Sequence, residues 1–333
     1  MIHYLVTRDE RWLVDHFLAR RGRALRGVLR PQLYERALNR RWAPAGHWVF
    51  ADVDRLGPRD AERAARLWQE LVAAGAGRVL NHPTRVLRRY ELLRRLHDAG
   101  INRSDVYRVT EARVPRRWPV FVRREGDHRG ALTALLRGPD ELAAALAAMD
   151  QQAVSRDDAI ICEFCESSDA RGIYTKYGTF LVAGRVIPRH VFFHQQWQVK
   201  GVGLLDDALV REEAAYLDAN PHDDVIRRVF ALAQIEYGRI DYSVRPDGGI
   251  EVWEINTHPT LPMTPGPGDP VRSAINDRAA RKLVEAFQAL NAEPSRTGRI
   301  PTGHPGRAQA LMQATRGLAA RVARKLRRAR EPR

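Results

Sequence analysis

Residues 238–259 read GRIDYSVRPDGGIEVWEINTHP, and the reading of this stretch decides the fold. Two runs of alternating apolar and polar residues flank Pro246-Asp247-Gly248-Gly249, a strong turn signal, so the segment is expected to form an antiparallel hairpin. Centring the turn between Asp247 and Gly248 sets Asp241 opposite Glu254 and Ser243 opposite Val252. Successive strand side chains point to opposite faces. One face would carry Asp241, Ser243, Val252, Glu254 and Asn256. The other would carry Ile240, Tyr242, Val244, Trp253 and Ile255, which suits a core.

Two carboxylates and an amide oxygen thereby gather at one end of a sheet surface. Hard oxygen donors of this kind suit Mg²⁺, with Mn²⁺ as an alternative, because such an ion takes one or two carboxylates and completes its shell with water and phosphate oxygens. A solvated strand face with chance acidic residues would look the same in isolation. The apolar opposite face and the Pro-rich loop after Asn256 favour the metal reading, with Asp241, Glu254 and Asn256 as ligands.

An Asp on one strand, then a hairpin, then Glu254-Ile255-Asn256 with Pro259 close behind resembles the metal-binding end of the ATP-grasp fold, in the manner of glutathione synthetase and the ribosomal-protein glutamate ligases. The resemblance covers residues 79–290. It implies an α/β (α+β) fold in which two subdomains clamp ATP. It also implies an ADP-forming ligase that joins a small-molecule or peptide carboxylate to an amine through an acyl phosphate.

Family members place a phosphate-contacting Lys early in the first helix and another on the next strand; the matching positions hold Arg89, and Arg123 within PVFVRR at 119–124. Arg keeps the charge, but its planar fork is not a point-charge ammonium. EGDHRG at 125–130 takes the place of the phosphate-covering loop with only two glycines. AIICEFCE at 159–166 resembles the strand beneath adenine, which assigns Glu163, Phe164 and Cys165 to the base and Glu166 or Asp169 to the ribose. Lys176, Arg189 and Lys200 are candidates for holding the γ-phosphate or acyl phosphate, and the pattern does not fix which. Two readings on the same scaffold stay open: a phosphotransferase with a hydroxyl acceptor, and an ATP-binding scaffold impaired by the Lys-to-Arg changes.

Composition bounds the rest. A chain of 333 residues has ample length for two or three sub-domains. No apolar run reaches 18 residues, and the start, Ile2–Val6 followed by charge, does not read as a signal peptide. Two cysteines give no disulfide framework, and the expected compartment is the cytoplasm. Cys162 and Cys165 form a lone CxxC, short of the four ligands a structural zinc needs, and read as packing residues. His190 and His194 share a strand face by parity but lack a third ligand.

The net charge of +15 invites a nucleic-acid partner, yet residues 307–333 alone carry eight Arg and one Lys against one Glu. The positive charge is concentrated in that tail, so nucleic acid is not expected for the main body. Lys occurs only at 176, 200, 282 and 325, so basic positions in this chain default to Arg.

Residues 1–78 alternate strand and helix signals, which points to a partly parallel sheet, and the resemblance implies a Rossmann-like pre-domain there; no dinucleotide fingerprint is present. There Asp52 and Asp54 could meet an acceptor or be surface carboxylates. Residues 79–292 form the expected ATP-grasp domain, 293–306 a mobile linker, and 307–333 a basic amphipathic tail suited to a membrane surface, a polyanion or a protein partner.

Overall fold

Ile2–Val6, four apolar or aromatic residues and His3, are all buried and form β1, the second strand of a four-stranded parallel sheet. The computed structural model describes residues 1–111, 113–126, 130–152, 155–201, 203–262 and 270–303. After β1 the chain forms α1 (Arg11–Ala19), β2 (Leu29–Leu33), α2 (Tyr34–Ala37), β3 (Trp42–Pro44), β4 (His47–Phe50), α3 (Pro58–Ala73) and β5 (Val79–Leu80). The sheet order is β2-β1-β4-β5, all parallel. Pro31 cannot donate to a ladder, and β2 accordingly lies at the sheet edge. Helix α3 starts on Pro58, which needs no N–H partner at that position, and buries Ala61, Ala64, Ala65, Leu67 and Leu71.

A three-stranded antiparallel sheet follows, built from β6 (Val106–Arg108), β7 (Val120–Arg124) and β8 (Ala159–Glu163) in the order β6-β8-β7, with α4 (Arg89–Asp98) and α5 (Pro139–Gln151). The second antiparallel sheet, in the order β10-β9-β11-β12, joins β9 (Tyr174–Val182), β10 (Arg185–His194), β11 (Tyr237–Val244) and β12 (Ile250–Asn256). Ala183 and Gly184 both take positive φ (49° and 91°), as the tight turn between β9 and β10 demands. Helices α6 (Asp207–Ala219) and α7 (Asp223–Ala233) precede the hairpin, and α8 (Pro270–Ala292) and β13 (Arg299–Pro301) follow it. The chain is thus a mixed α/β protein with one parallel sheet, two larger antiparallel sheets and a two-stranded antiparallel pair of β3 with β13 among the described residues.

Two expected boundaries move. Val79 and Leu80 belong to the first sheet, not to the second unit. Of the stretch 293–306, expected to be a mobile linker, the described residues 293–303 are tied to the first unit: β13 pairs antiparallel with β3, Ile300 is buried against Leu5, Trp48 and Leu67, and the Gly303 N–H donates to Glu70. A single apolar residue among Pro, Gly and Ser gives no periodic signal, so the pairing is invisible in sequence. The basic tail at 307–333 lies outside the described residues.

One core spans the first sheet and the second unit: Ile2, Tyr4 and Val6 pack with Phe180, Tyr237, Leu283 and Phe287. Asn81, at φ 63°, fixes the junction with a side chain that accepts from the Glu236 and Tyr237 N–H groups and donates to the Tyr237 and Phe50 carbonyls.

Candidate functional site

The hairpin turn is displaced and the strand then corrects it. Arg245 N donates to Gly249 O and Gly248 N to Arg245 O, with Gly248 at φ 82°, so the turn is centred on Asp247 and the pairing beside it is shifted by one residue from expectation. Next to the turn Ser243 faces Glu251, and Tyr242 faces Val252. A bulge at Trp253 then shifts the register by one, so that Asp241 stands opposite Glu254 and Arg239 opposite Asn256. The expected pairing of Asp241 with Glu254 is therefore present, whereas Ser243 with Val252 is not. The bulge also exchanges two faces: Val252 enters the core with Ile240 and Tyr242, and Trp253 turns toward the polar side, donating from Nε1 to Ser243 Oγ at 3.0 Å.

That polar side lines a cleft of roughly 730 Å³ between the two antiparallel sheets. At its charged end, Glu254 accepts from Arg89 at the start of α4 and lies 3.7 Å from Arg123 on β7. Arg89 also donates to the carbonyls of Arg124 and Glu125 at 3.1 and 2.6 Å, which holds its guanidinium at the cleft. Asp241 is gripped by Arg239 at 2.7 and 3.1 Å and faces Lys176 at 3.6 Å. At the apolar end Trp197 packs on Phe121 (ring centroids 4.9 Å) and on the edge of Phe164 (5.9 Å), with Tyr174 and Trp253 close by. Lys200 lines the opening with its Nζ against Gly130, whose φ of 102° favours glycine at that loop position.

The remaining expected site residues divide. Glu163 is buried, and four donors satisfy its carboxylate: the Asp105, Arg116 and Arg117 N–H groups at 3.0 Å each and the Tyr107 hydroxyl at 2.8 Å. The Glu163 and Phe164 N–H groups go to Asp105 O and Pro119 O. These amides serve the fold, and the Phe164 ring is what approaches the cleft. Burial pushes the Cys162 and Cys165 thiols up to about 11 and about 12, and Cys165 lies beside Glu251 and Arg245, away from the cleft. Glu166 accepts from Ser168 N and Tyr174 OH, and Asp169 accepts from the Arg171 and Ile173 N–H groups, so both carboxylates shape their own loop. Asn256 Oδ1 accepts from His258 N at 2.8 Å. His194 contacts Gly201 O at 3.3 Å. Asp127, His128, Arg129 and residues 263–267 of the Pro-rich loop lie outside the described residues.

Arg189 is the unpaired residue of a bulge in β10, and it donates from Nη2 to Asn276 of α8 at 2.6 Å. Burial, with Arg239 and Arg272 nearby, pushes its guanidinium down to about 9. Burial likewise holds His190 well below the usual imidazole range.

A second cavity, of roughly 810 Å³, opens on the other side of Glu254 and reaches the first sheet at Val53 and Asp54. Asp54 accepts from Thr257 Oγ1 at 2.8 Å. Asp52, at φ 58°, accepts from Thr7 N at 3.2 Å and pairs with Arg55 at 2.9 Å; burial pushes its carboxyl up to about 6.

Sequence reasoning missed Arg239, Trp253, Trp197 and Ser167. Arg239 shares strand parity with Asp241, so its place was available from the alternation. Trp253 was hidden by the bulge, and Trp197 and Ser167 stand outside the regular strands, where no period applies.

Among the described residues no three His, Cys, Asp or Glu side chains gather into a metal-holding group. A divalent ion here would rest on two carboxylates and an amide oxygen, a donor set that suits Mg²⁺ with water and phosphate in its other positions.

No family model and no curated protein matches the chain. Among solved structures it is similar to the VanG D-Ala:D-Ser ligase from Enterococcus faecalis, with 16% identity over 67% of this chain and 69% of that one and a TM-score of 0.39. At that level the likeness carries no argument. No described helix is long and apolar enough to cross a membrane.

Proposed function

We propose that the chain is an ATP-grasp enzyme that ligates a carboxylate to an amine with release of ADP and phosphate. One observation carries the reading: Arg89 on α4 and Arg123 on β7, assigned to phosphate, meet Glu254 on β12, assigned to metal beside Asp241. Arg123, Asp241 and Glu254, chosen from separate stretches of sequence, line one cleft, and Arg89 reaches its edge through Glu254. In that cleft the aromatic end accepts a planar base by stacking. The charged end receives the phosphate chain, with Arg89 and Arg123 as its cationic wall.

Asp241 and Glu254, with Asn256 next along β12, would hold Mg²⁺ or Mn²⁺, which supplies neutralisation of the charge on the phosphate oxygens. The acceptor carboxylate attacks the γ-phosphorus, and the bond to the β–γ bridging oxygen breaks, giving an acyl phosphate and ADP. The amine nitrogen then attacks the acyl carbon, phosphate leaves, and the amine proton passes to solvent. Lys176 and Lys200 at the cleft are the cations that orient the transferred group.

The test is ADP release over pools of carboxylates and amines, with hydroxylamine added to trap the acyl phosphate as a hydroxamate. Hydroxamate formation that disappears in Glu254→Gln supports ligation. Phosphate retained on a hydroxyl product would reassign the chain as a phosphotransferase. Nucleotide binding without ADP release from any acceptor would leave a scaffold.

A further inference from the structure

Across the second antiparallel sheet, Glu254, Asp241, Gly178 and His190 form one row, each opposite the next on neighbouring strands. Gly178 has no side chain, and the His190 ring fills that space: Cε1 and Nε2 lie 2.5 and 2.6 Å from where a Cβ would stand. The ring stacks on Phe192 at 4.0 Å, and the Lys176 ammonium and Arg272 guanidinium stand 5.6 and 5.3 Å from the same Phe192 ring. Beside it the bulge aims Arg189 beneath α8.

Most charges here are matched within the chain: Arg239 by Asp241, Arg272 by Glu213, and Arg21 by Asp277. Arg189 is different. It is 8% exposed and has one neutral partner, Asn276; its Nε and Nη1 have no hydrogen-bond partner among the described residues, and neither has Nε2 of His190. Buried polar groups are almost always satisfied, and a buried cation left open is costly, so such atoms point to a missing partner. Arg239 and Arg272 stand around it, and the nearby carboxylate, Glu213, is already held by Arg272 and the Val191 N–H, so the missing partner is an anion.

We propose that Arg189, His190 and Arg272 form an anion compartment between β10 and α8, and that it docks a second anionic group of the acceptor, distinct from the carboxylate that reacts. The identity of the ligand as acceptor rests on the ligase reading. Position argues for a second group. Neighbouring strands lie about 4.8 Å apart, so β10 runs roughly 10 Å from β11, which carries Asp241. Reacting atoms must approach to about 3–3.5 Å. Arg189 on β10 and Asp241 on β11 stand two strands apart, so a dicarboxylate or a phosphorylated carboxylate can place one anionic group at each.

The test uses the full chain saturated with ADP and Mg²⁺, and reads thermal midpoints with acetate, inorganic phosphate and a dicarboxylate series from malonate to adipate. The proposal expects a dicarboxylate of preferred length to raise the midpoint by about 3 °C at tenfold excess over its Kd, with acetate giving none of that shift. Arg189→Met should abolish the shift while keeping or raising the anion-free midpoint, since it removes an uncompensated buried charge; a merely structural arginine would lower it. Gly178→Ala, which displaces His190, should weaken dicarboxylate binding with Arg189 intact. Equal shifts from acetate, phosphate and dicarboxylates, or no shift from any, overturn the proposal. The same titrations without nucleotide keep it testable if ADP itself does not bind, a result that would sink only the ligase reading.

Discussion

Glu163 at the end of β8 and Arg189 in the middle of β10 are both buried charges, and their surroundings are opposites. Around Glu163 the chain has arranged four donors on one carboxylate. Glu251 on β12 is treated alike, accepting from the Arg103 and Ser104 N–H groups and from Arg245. Around Arg189 two of three nitrogens face no acceptor. A buried charge closed by its own chain holds a fold together, whereas one left open is ready for a partner that arrives later. Asp241 and Glu254 stand between these extremes, since their partners Arg89, Arg123, Arg239 and Lys176 are long side chains able to turn toward phosphate.

Four experiments break or sharpen this contrast. The largest expected effect is at the open side: Glu254→Gln should cut ADP release by about 10²–10³-fold with the fold intact by circular dichroism. Turnover within twofold of wild type would remove Glu254 from the metal set. On the closed side, Glu163→Gln places an amide NH₂ among N–H donors and should cost about 2–3 kcal/mol in urea unfolding, with ADP affinity unchanged. If affinity falls and stability holds, Glu163 belongs to the ligand site after all.

A smaller effect concerns His3, which is 2% exposed; burial pushes its imidazole down to about 4, opposed by a hydrogen bond to Ala45. The unfolded chain then binds the proton more tightly, so the stability from keeping His3 neutral is complete above pH 6.5 and is lost as pH falls toward 4. About 2 kcal/mol should be gone at pH 5, and His3→Gln should flatten that part of the profile. An unchanged slope in the variant would assign it to other groups. The smallest effect is at the aromatic end: Trp197→Leu should raise the KM for ATP roughly five- to tenfold and leave kcat alone. A drop in kcat with constant KM would place the base elsewhere.

How much of this was legible depended on whether the signal was periodic. The hairpin, β1, α3 and the facing of Asp241 to Glu254 follow from alternation and turn chemistry. Even there the correct pairing came through two displacements that cancel, an early turn and the bulge at Trp253. Arg89 and Arg123 were found through resemblance, and their contact with Glu254 is a tertiary fact that no local pattern encodes. The Glu163 cradle was illegible because its donors are backbone N–H groups of loops. The pairing of Arg299–Pro301 with β3 was illegible because one buried Ile300 has no period.

That last strand bears on how the molecule is made. The first sheet is covered by Leu283 and Phe287 of α8 and finished by Ile300, so the unit translated first stays incomplete until nearly the whole described chain has emerged. A nascent chain of a hundred residues would expose β1 and β4 without their lids, and truncation before residue 299 would keep α8 and leave bare only the apolar surface that Ile300 covers.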